Sequence, residues 1–97
     1  MSRFLPETFD PSRPLALIAG QGRYPVLLAA RAKKAGISVR LIELGGETTP
    51  ELIASFPEHE RSAVKVGQVG KLLKELKRFD VGYAVMAGQV TPGKLFK

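Results

Sequence analysis

The run Leu15 to Pro25, L-A-L-I-A-G-Q-G-R-Y-P, constrains this chain more than any other stretch. Five apolar residues stand without a polar break and then meet Gly20 and Gly22. A strand buried on both faces of a parallel sheet has this continuous apolar character, whereas a half-exposed strand alternates. Glycines directly after a strand mark a tight turn where backbone approaches another group closely. Pro25 suits the first turn of a helix, where its missing N–H costs nothing. Strand, Gly-rich turn and helix start together aim backbone N–H groups and a positive dipole end at one point, an arrangement suited to an anion.

The pattern continues down the chain. A helix is predicted over Tyr24 to Ala35, with Arg31, Lys33 and Lys34 in the last turn, where the dipole favours cations, and Gly36 at the C-cap. Ile37 to Leu44 is the second strand and completes a right-handed β-α-β unit with parallel strands. Gly45-Gly46 reads as a flexible loop. Thr49-Pro50-Glu51 reads as a helix start, with Thr as N-cap, Pro at the first position and an acid in the first turn. The short helix Glu51 to Phe56 stops before Pro57. Glu58 to Arg61 is a polar loop, and Ser62 to Val66 a third strand.

Gly67-Gln68-Val69-Gly70 repeats the opening pattern of strand, Gly-rich turn and helix. Val69, Leu72, Leu73 and Leu76 make a stripe at i, i+3, i+4 and i+7, closed by Phe79. Asp80 leads into the fourth strand, Val81 to Met86, and Ala87-Gly88-Gln89-Val90 follows. Thr91-Pro92 repeats the helix-start signature. The predicted helix from Pro92 has about one turn before Lys97, and so short a helix does not hold alone. Either that last segment packs on the domain or the sequence is the amino-terminal part of something longer, and the second reading is preferred. Residues 1–14, with three prolines, read as an irregular arm, and residues 15–97 as one domain.

The predicted fold is α/β, a Rossmann-like three-layer sandwich with a parallel four-stranded sheet in the order 3-2-1-4. In such sheets ligands bind outside the carboxyl ends of the strands where the strand order reverses, here between strands one and four. The turns at Gly20, Gly67 and Gly88 all emerge on that edge.

Composition sets the class. At 97 residues, 44% hydrophobic and 25% charged, the chain is one soluble globular domain. It has no cysteine, which excludes a disulfide scaffold and thiolate metal sites and points to a reducing compartment. With His59 as the single histidine, a zinc site is hard to build. No apolar run approaches the roughly 20 residues of a membrane-spanning helix. The first ten residues, M-S-R-F-L-P-E-T-F-D, lack the apolar core and small-residue cleavage site of a signal peptide. A cytoplasmic location is expected. The net charge of +6 implies either an anionic partner or an excess balanced by a partner or a further domain, since the basic residues form no block. Nucleic acid is not expected as a partner, because no basic face is interleaved with aromatic residues.

The motifs leave two readings open. G-Q-G-R-Y-P matches the dinucleotide fingerprint G-x-G-x-x-G except that Pro25 replaces the third glycine. Glu43, about 20 residues on, stands where an acid would meet ribose hydroxyls. The same residues serve equally as a purely structural tight turn. Gln21, Gln68 and Gln89 each lie beside a glycine at a strand's carboxyl end. They are able to read uracil, sugar hydroxyls or an amide-bearing acyl chain, or to be ordinary solvated turns. Lys71 sits in a first helical turn, where the dipole disfavours a cation, so it meets a phosphate or solvent, and Lys94 is read likewise. No catalytic constellation is visible. Glu58, His59 and Glu60 read as solvated, and the carboxylates are not grouped as a metal-dependent reaction requires.

I-A-G-Q-G-R-Y-P (Ile18 to Pro25), V-G-Q-V-G-K-L-L-K-E-L-K (Val66 to Lys77) and M-A-G-Q-V-T-P-G-K-L-F (Met86 to Phe96) occur in series. Together they resemble the amino-terminal domain of the two-domain UDP-2,3-diacylglucosamine pyrophosphatase family of lipid A biosynthesis, from Leu15 to Lys97. The resemblance implies hydrolysis of UDP-2,3-diacylglucosamine to 2,3-diacylglucosamine 1-phosphate (lipid X) and UMP, with a divalent cation such as magnesium. It implies cytoplasmic enzymes of Gram-negative bacteria, peripheral at the inner membrane. Their ligand lies between a Rossmann-like domain and a carboxyl-terminal domain that supplies the key acids. Carried onto this sequence, the binding candidates are Gly20, Gln21, Gly22, Tyr24 and Pro25, then Gly67, Gln68, Gly70 and Lys71, then Gly88, Gln89, Val90 and Thr91. This chain includes no counterpart of the catalytic domain, so no catalytic or metal residue is expected in it and it alone should hydrolyse nothing. An isolated copy with its docking surface bare is expected to self-associate.

Overall fold

The computed structural model describes residues 12–89. Most of the expected arm, Val90, Thr91 and the predicted helix from Pro92 lie outside the described residues.

Strand β1 (Leu15–Ala19) is buried along its whole length, as its unbroken apolar sequence requires. It pairs in parallel with β2 (Val39–Leu44) on one side and with β4 (Tyr83–Ala87) on the other, Leu17 standing opposite Leu41 and Val85. Strand β3 (Arg61–Val64) adds in parallel to β2, so the order is β3-β2-β1-β4. This is the doubly wound, all-parallel topology expected from the alternation of strands and helices, with the reversal of order between β1 and β4.

The helices divide the core between the two faces of the sheet. Leu15, Leu17 and Ala19 pack with Val39, Leu41 and Ala87 beneath α1 (Tyr24–Lys34) and α2 (Pro50–Ala54). Ile18 points the other way and packs with Ile42, Leu44, Val64 and Phe79 beside Leu72 and Leu76 of α3 (Val69–Arg78). The period-two alternation of β1 sends successive apolar side chains to opposite layers, which is why no polar residue fits in it.

Several boundaries differ from the sequence reading. β2 starts two residues late, at Val39, because Ile37 still closes the helical turn through its N–H to the Ala32 carbonyl. α2 begins at Pro50 and ends at Ala54, with the Ser55 and Phe56 amides bonded back into its last turn. β3 runs over Arg61–Val64, and the expected polar loop before it is a 3-10 turn over Glu58–Glu60. β4 runs over Tyr83–Ala87, displaced toward its carboxyl end, with Tyr83 opposite Leu15, and the Gly82 N–H donates to the Pro14 carbonyl just ahead of it. Arg13 fastens the same corner, donating to the Asp80 carboxylate at 3.0 Å. Thr49 does occupy the N-cap of α2, with extended dihedrals, yet its hydroxyl makes no cap bond and is buried without a partner.

Candidate functional site

The carboxyl ends of the strands form one rim, and its centre is a clasp between two turns. The Gln21 N–H donates to the Gln89 carbonyl at 2.6 Å, and the Gln89 N–H donates back to the Gln21 carbonyl at 3.1 Å. This isolated antiparallel bridge spans the gap between β1 and β4, with the Gly20 N–H donating to the Ala87 carbonyl at 2.8 Å behind it. A Cβ on Gly20 would stand 2.5 Å from the Gln89 carbonyl oxygen, and one on Gly88 would stand 2.6 Å from that of Gln21. Both glycines are therefore demanded by the protein's own backbone. The sequence shows that something approaches closely there, and the structure shows that it is a second turn of the same chain.

Pro25 is fully buried, with its Cγ 2.9 Å from the position a Gly88 Cβ would take. It closes the clasp from the helix side and is not accessible to a ligand. Gly22 differs: it has φ +97° and open space on its Cβ side, so this part of the turn faces outward. Tyr24 beside it is exposed.

The residues behind the clasp were missed by the sequence reading. Glu47 is 3% exposed, and the Gln21 amide nitrogen donates to its Oε1 at 2.6 Å. Thr48 is buried next to it. Its hydroxyl donates to the Ala19 carbonyl at 2.6 Å and accepts the Leu44 N–H at 2.9 Å, stitching the end of β2 to the end of β1. The loop read as flexible at Gly45-Gly46 is held further by the Gly45 N–H on the Val64 carbonyl and the Glu47 N–H on the Leu44 carbonyl. Only the position of Glu-Thr-Thr between a strand end and a proline signalled this, and short polar residues there read equally as solvated loop.

The second motif lies elsewhere on the rim. β2 separates β3 from β1, which sets Gly67 and Gln68 about two strand spacings, roughly 10 Å, from the clasp. The Gln68 side-chain oxygen accepts the Lys65 N–H at 2.9 Å, so the carbonyl end of that amide closes its own turn. Gly67 and Gly70 have open space on their Cβ sides, and Lys71 is exposed on the first turn of α3. Of the three glutamines, the fold thus joins Gln21 and Gln89 and leaves Gln68 apart. Val90 and Thr91 lie outside the described residues.

Glu43 does not face the rim as a ribose acceptor. Its carboxylate is 3.4 Å from Arg61 across the β2–β3 pair. With the bridge spanning the β1–β4 crevice and Pro25 buried, the three parts of a dinucleotide site are each diverted to structural use. His59 is exposed beside Glu60, as the sequence suggested. No three His, Cys, Asp or Glu residues come together among the described residues. No helix among them is long and apolar enough to cross a membrane.

What remains is a rim of turn backbone and neutral amides, with a buried carboxylate behind Gln21 and exposed cations at Arg23 and Lys71. Fold and rim define a Rossmann-like α/β domain whose switch point is closed on itself. The model of the LpxI N-terminal domain family matches residues 14–97, and the chain belongs to that family. No curated protein matches the sequence.

Proposed function

We propose that this chain is the ligand-binding amino-terminal domain of a UDP-2,3-diacylglucosamine pyrophosphatase. It forms one wall of the cleft that holds the diacylated sugar phosphate, while the acids that cleave the pyrophosphate belong to a further domain. Membership of the LpxI N-terminal domain family over residues 14–97 carries this reading. The rim is consistent with it. Gly22 and Gly67 expose turn backbone, Gln21 is oriented by Glu47, and Lys71 stands at a helix start where a phosphate would offset its unfavourable dipole position. Magnesium would polarise the pyrophosphate when bound in the complete enzyme, and no residue described here is assigned to it.

The test is a titration of isotopically labelled chain with 2,3-diacylglucosamine 1-phosphate, read by amide shifts. Shifts at Gly22, Gln68 and Lys71 are expected. A rim that does not respond to saturating ligand would overturn the reading. In parallel, the chain supplied with magnesium and UDP-2,3-diacylglucosamine is expected to release no UMP above a buffer blank.

A further inference from the structure

Gln21 and Gln68 hold equivalent places, each beside a glycine in the turn that follows a strand, and both are exposed. The fold ties them by opposite ends. The Gln21 amide nitrogen donates to Glu47 Oε1 at 2.6 Å, so its nitrogen branch is turned inward. The Gln68 side-chain oxygen accepts the Lys65 N–H at 2.9 Å, so there it is the carbonyl branch that is tied to the chain. A carboxamide carries its acceptor and its donors on separate branches, and tying one decides what the other presents. Gln21 therefore presents a carbonyl, and Gln68 an NH2 group. The Gln21 oxygen has two lone pairs and accepts a ligand donor whatever else it touches.

Neither amide is able to turn over. A carboxylate oxygen only accepts, so a reversed Gln21 would set two oxygens against each other. A reversed Gln68 would set its NH2 against the Lys65 N–H. Glu47 is 3% exposed, its own N–H is held by the Leu44 carbonyl, and the main chain of Gln21 is locked by both bonds of the clasp. A carboxylate is costly to bury, and this one is used to fix an exposed side chain. The donor end of Gln68 has company: Lys71 is exposed three residues on, and Gly67 and Gly70 have open space on their Cβ sides. Two strand spacings, roughly 10 Å, separate this group from the clasp. The rim thus has a polarity, with donors and a cation after β3 and an acceptor after β1.

We infer that this polarity fixes the direction in which the ligand lies on the rim, with its phosphate at Gln68 and Lys71 and a neutral O–H or N–H donor of the acylated sugar at the Gln21 carbonyl. The inference rests on the ligand reading above and adds its orientation. Phosphate oxygens accept, and the Gln68 NH2 and the Lys71 ammonium only donate. The reverse placement would set phosphate oxygens against the Gln21 carbonyl. Glu47 is a positioning residue in this arrangement: it lies behind Gln21, inside the domain, and acts through that side chain.

The experiment titrates labelled chain with short-acyl 2,3-diacylglucosamine 1-phosphate and, separately, with the same sugar lacking its phosphate, affinities being read from amide shifts. Gln68→Glu keeps an oxygen for the Lys65 N–H and turns a second one outward. It should weaken the phosphorylated ligand about tenfold or more and leave the other within about twofold. Gln21→Met should weaken both ligands by the same factor, again about tenfold. Glu47→Leu should match that loss and add nothing when combined with Gln21→Met, since the two residues act as one unit. Glu47→Gln still offers an oxygen to the Gln21 amide and should restore most of the binding. In the unaltered chain, whatever the fate of the Glu47 variants, the Gln21 side-chain NH2 should exchange with water more slowly than that of Gln68. Equal exchange, or additive losses from Glu47→Leu and Gln21→Met, would overturn the positioning role. A loss at Gln68→Glu that is equal for both ligands, or one at Gln21→Met that needs the phosphate, would overturn the orientation and leave the ligand reading intact. A chain that responds to neither ligand would remove that reading and the orientation with it.

Discussion

Gln21 and Gln89 exchange both of their backbone hydrogen bonds, at 2.6 and 3.1 Å, across the gap where the strand order reverses. In a Rossmann-like sheet that gap is the usual seat of a ligand. Here it is shut by main chain, and it is the outward sides of the turns, as at Gly22, that stand open.

The clasp makes the glycines unequal. Gly88→Ala forces a Cβ to within 2.6 Å of the Gln21 carbonyl at a φ of +96°, and should cost about 2–4 kcal/mol. Gly22→Ala has the same dihedral but open space, and should cost only about 1 kcal/mol. Urea unfolding of the two variants checks the order, and equal losses would mean that the turns do not press on each other.

Adjacent threonines should respond in opposite directions. Thr48→Val strands the Ala19 carbonyl and the Leu44 N–H in a buried place and should cost about 2–4 kcal/mol. Thr49→Val removes a buried hydroxyl that has no partner, and should be neutral or stabilising by up to about 1 kcal/mol. Denaturant midpoints of both variants decide the matter.

Acid should weaken the hold of Arg78 and Ser62 on Glu75. Hydrogen bonds from Arg78 and then from the Ser62 hydroxyl hold the Glu75 carboxyl below its ordinary value of 4.5. A depressed carboxylate stabilises the fold above its unfolded value and loses that contribution as pH falls through its folded value. Arg78→Ala should therefore lower stability at pH 7 and have progressively less effect below about pH 4.5. Melting curves at pH 7, 5 and 3 test this, and a difference that persists unchanged at pH 3 would count against it.

Nicotinamide dinucleotides should not bind. Glu43 is engaged by Arg61 and the β1–β4 crevice is bridged, so millimolar NADH should leave the melting temperature unchanged. A saturable rise of several degrees would restore the cofactor reading.

The sequence by itself determined the sheet. Unbroken apolar runs such as Leu15 to Ala19, punctuated by Gly-rich turns and helix stripes, leave a parallel α/β fold as the arrangement that buries them all, and the order 3-2-1-4 follows from connection rules. These signals are local, and a residue's neighbours in sequence carry them. The three motifs likewise made the family legible. What only the tertiary structure decided is the use to which each polar residue is put. Gly20 and Gly88 are 68 positions apart and meet backbone to backbone, Thr48 reaches Ala19 across 29 positions, and Glu47 turns inward to Gln21 across 26. Such contacts depend on the register of β1 against β2 and β4, which no single stretch encodes. The same holds for the exposed rim: the stripe of α3 predicts that Val69 and Leu73 are apolar, and only the packing reveals that they are left outside the core.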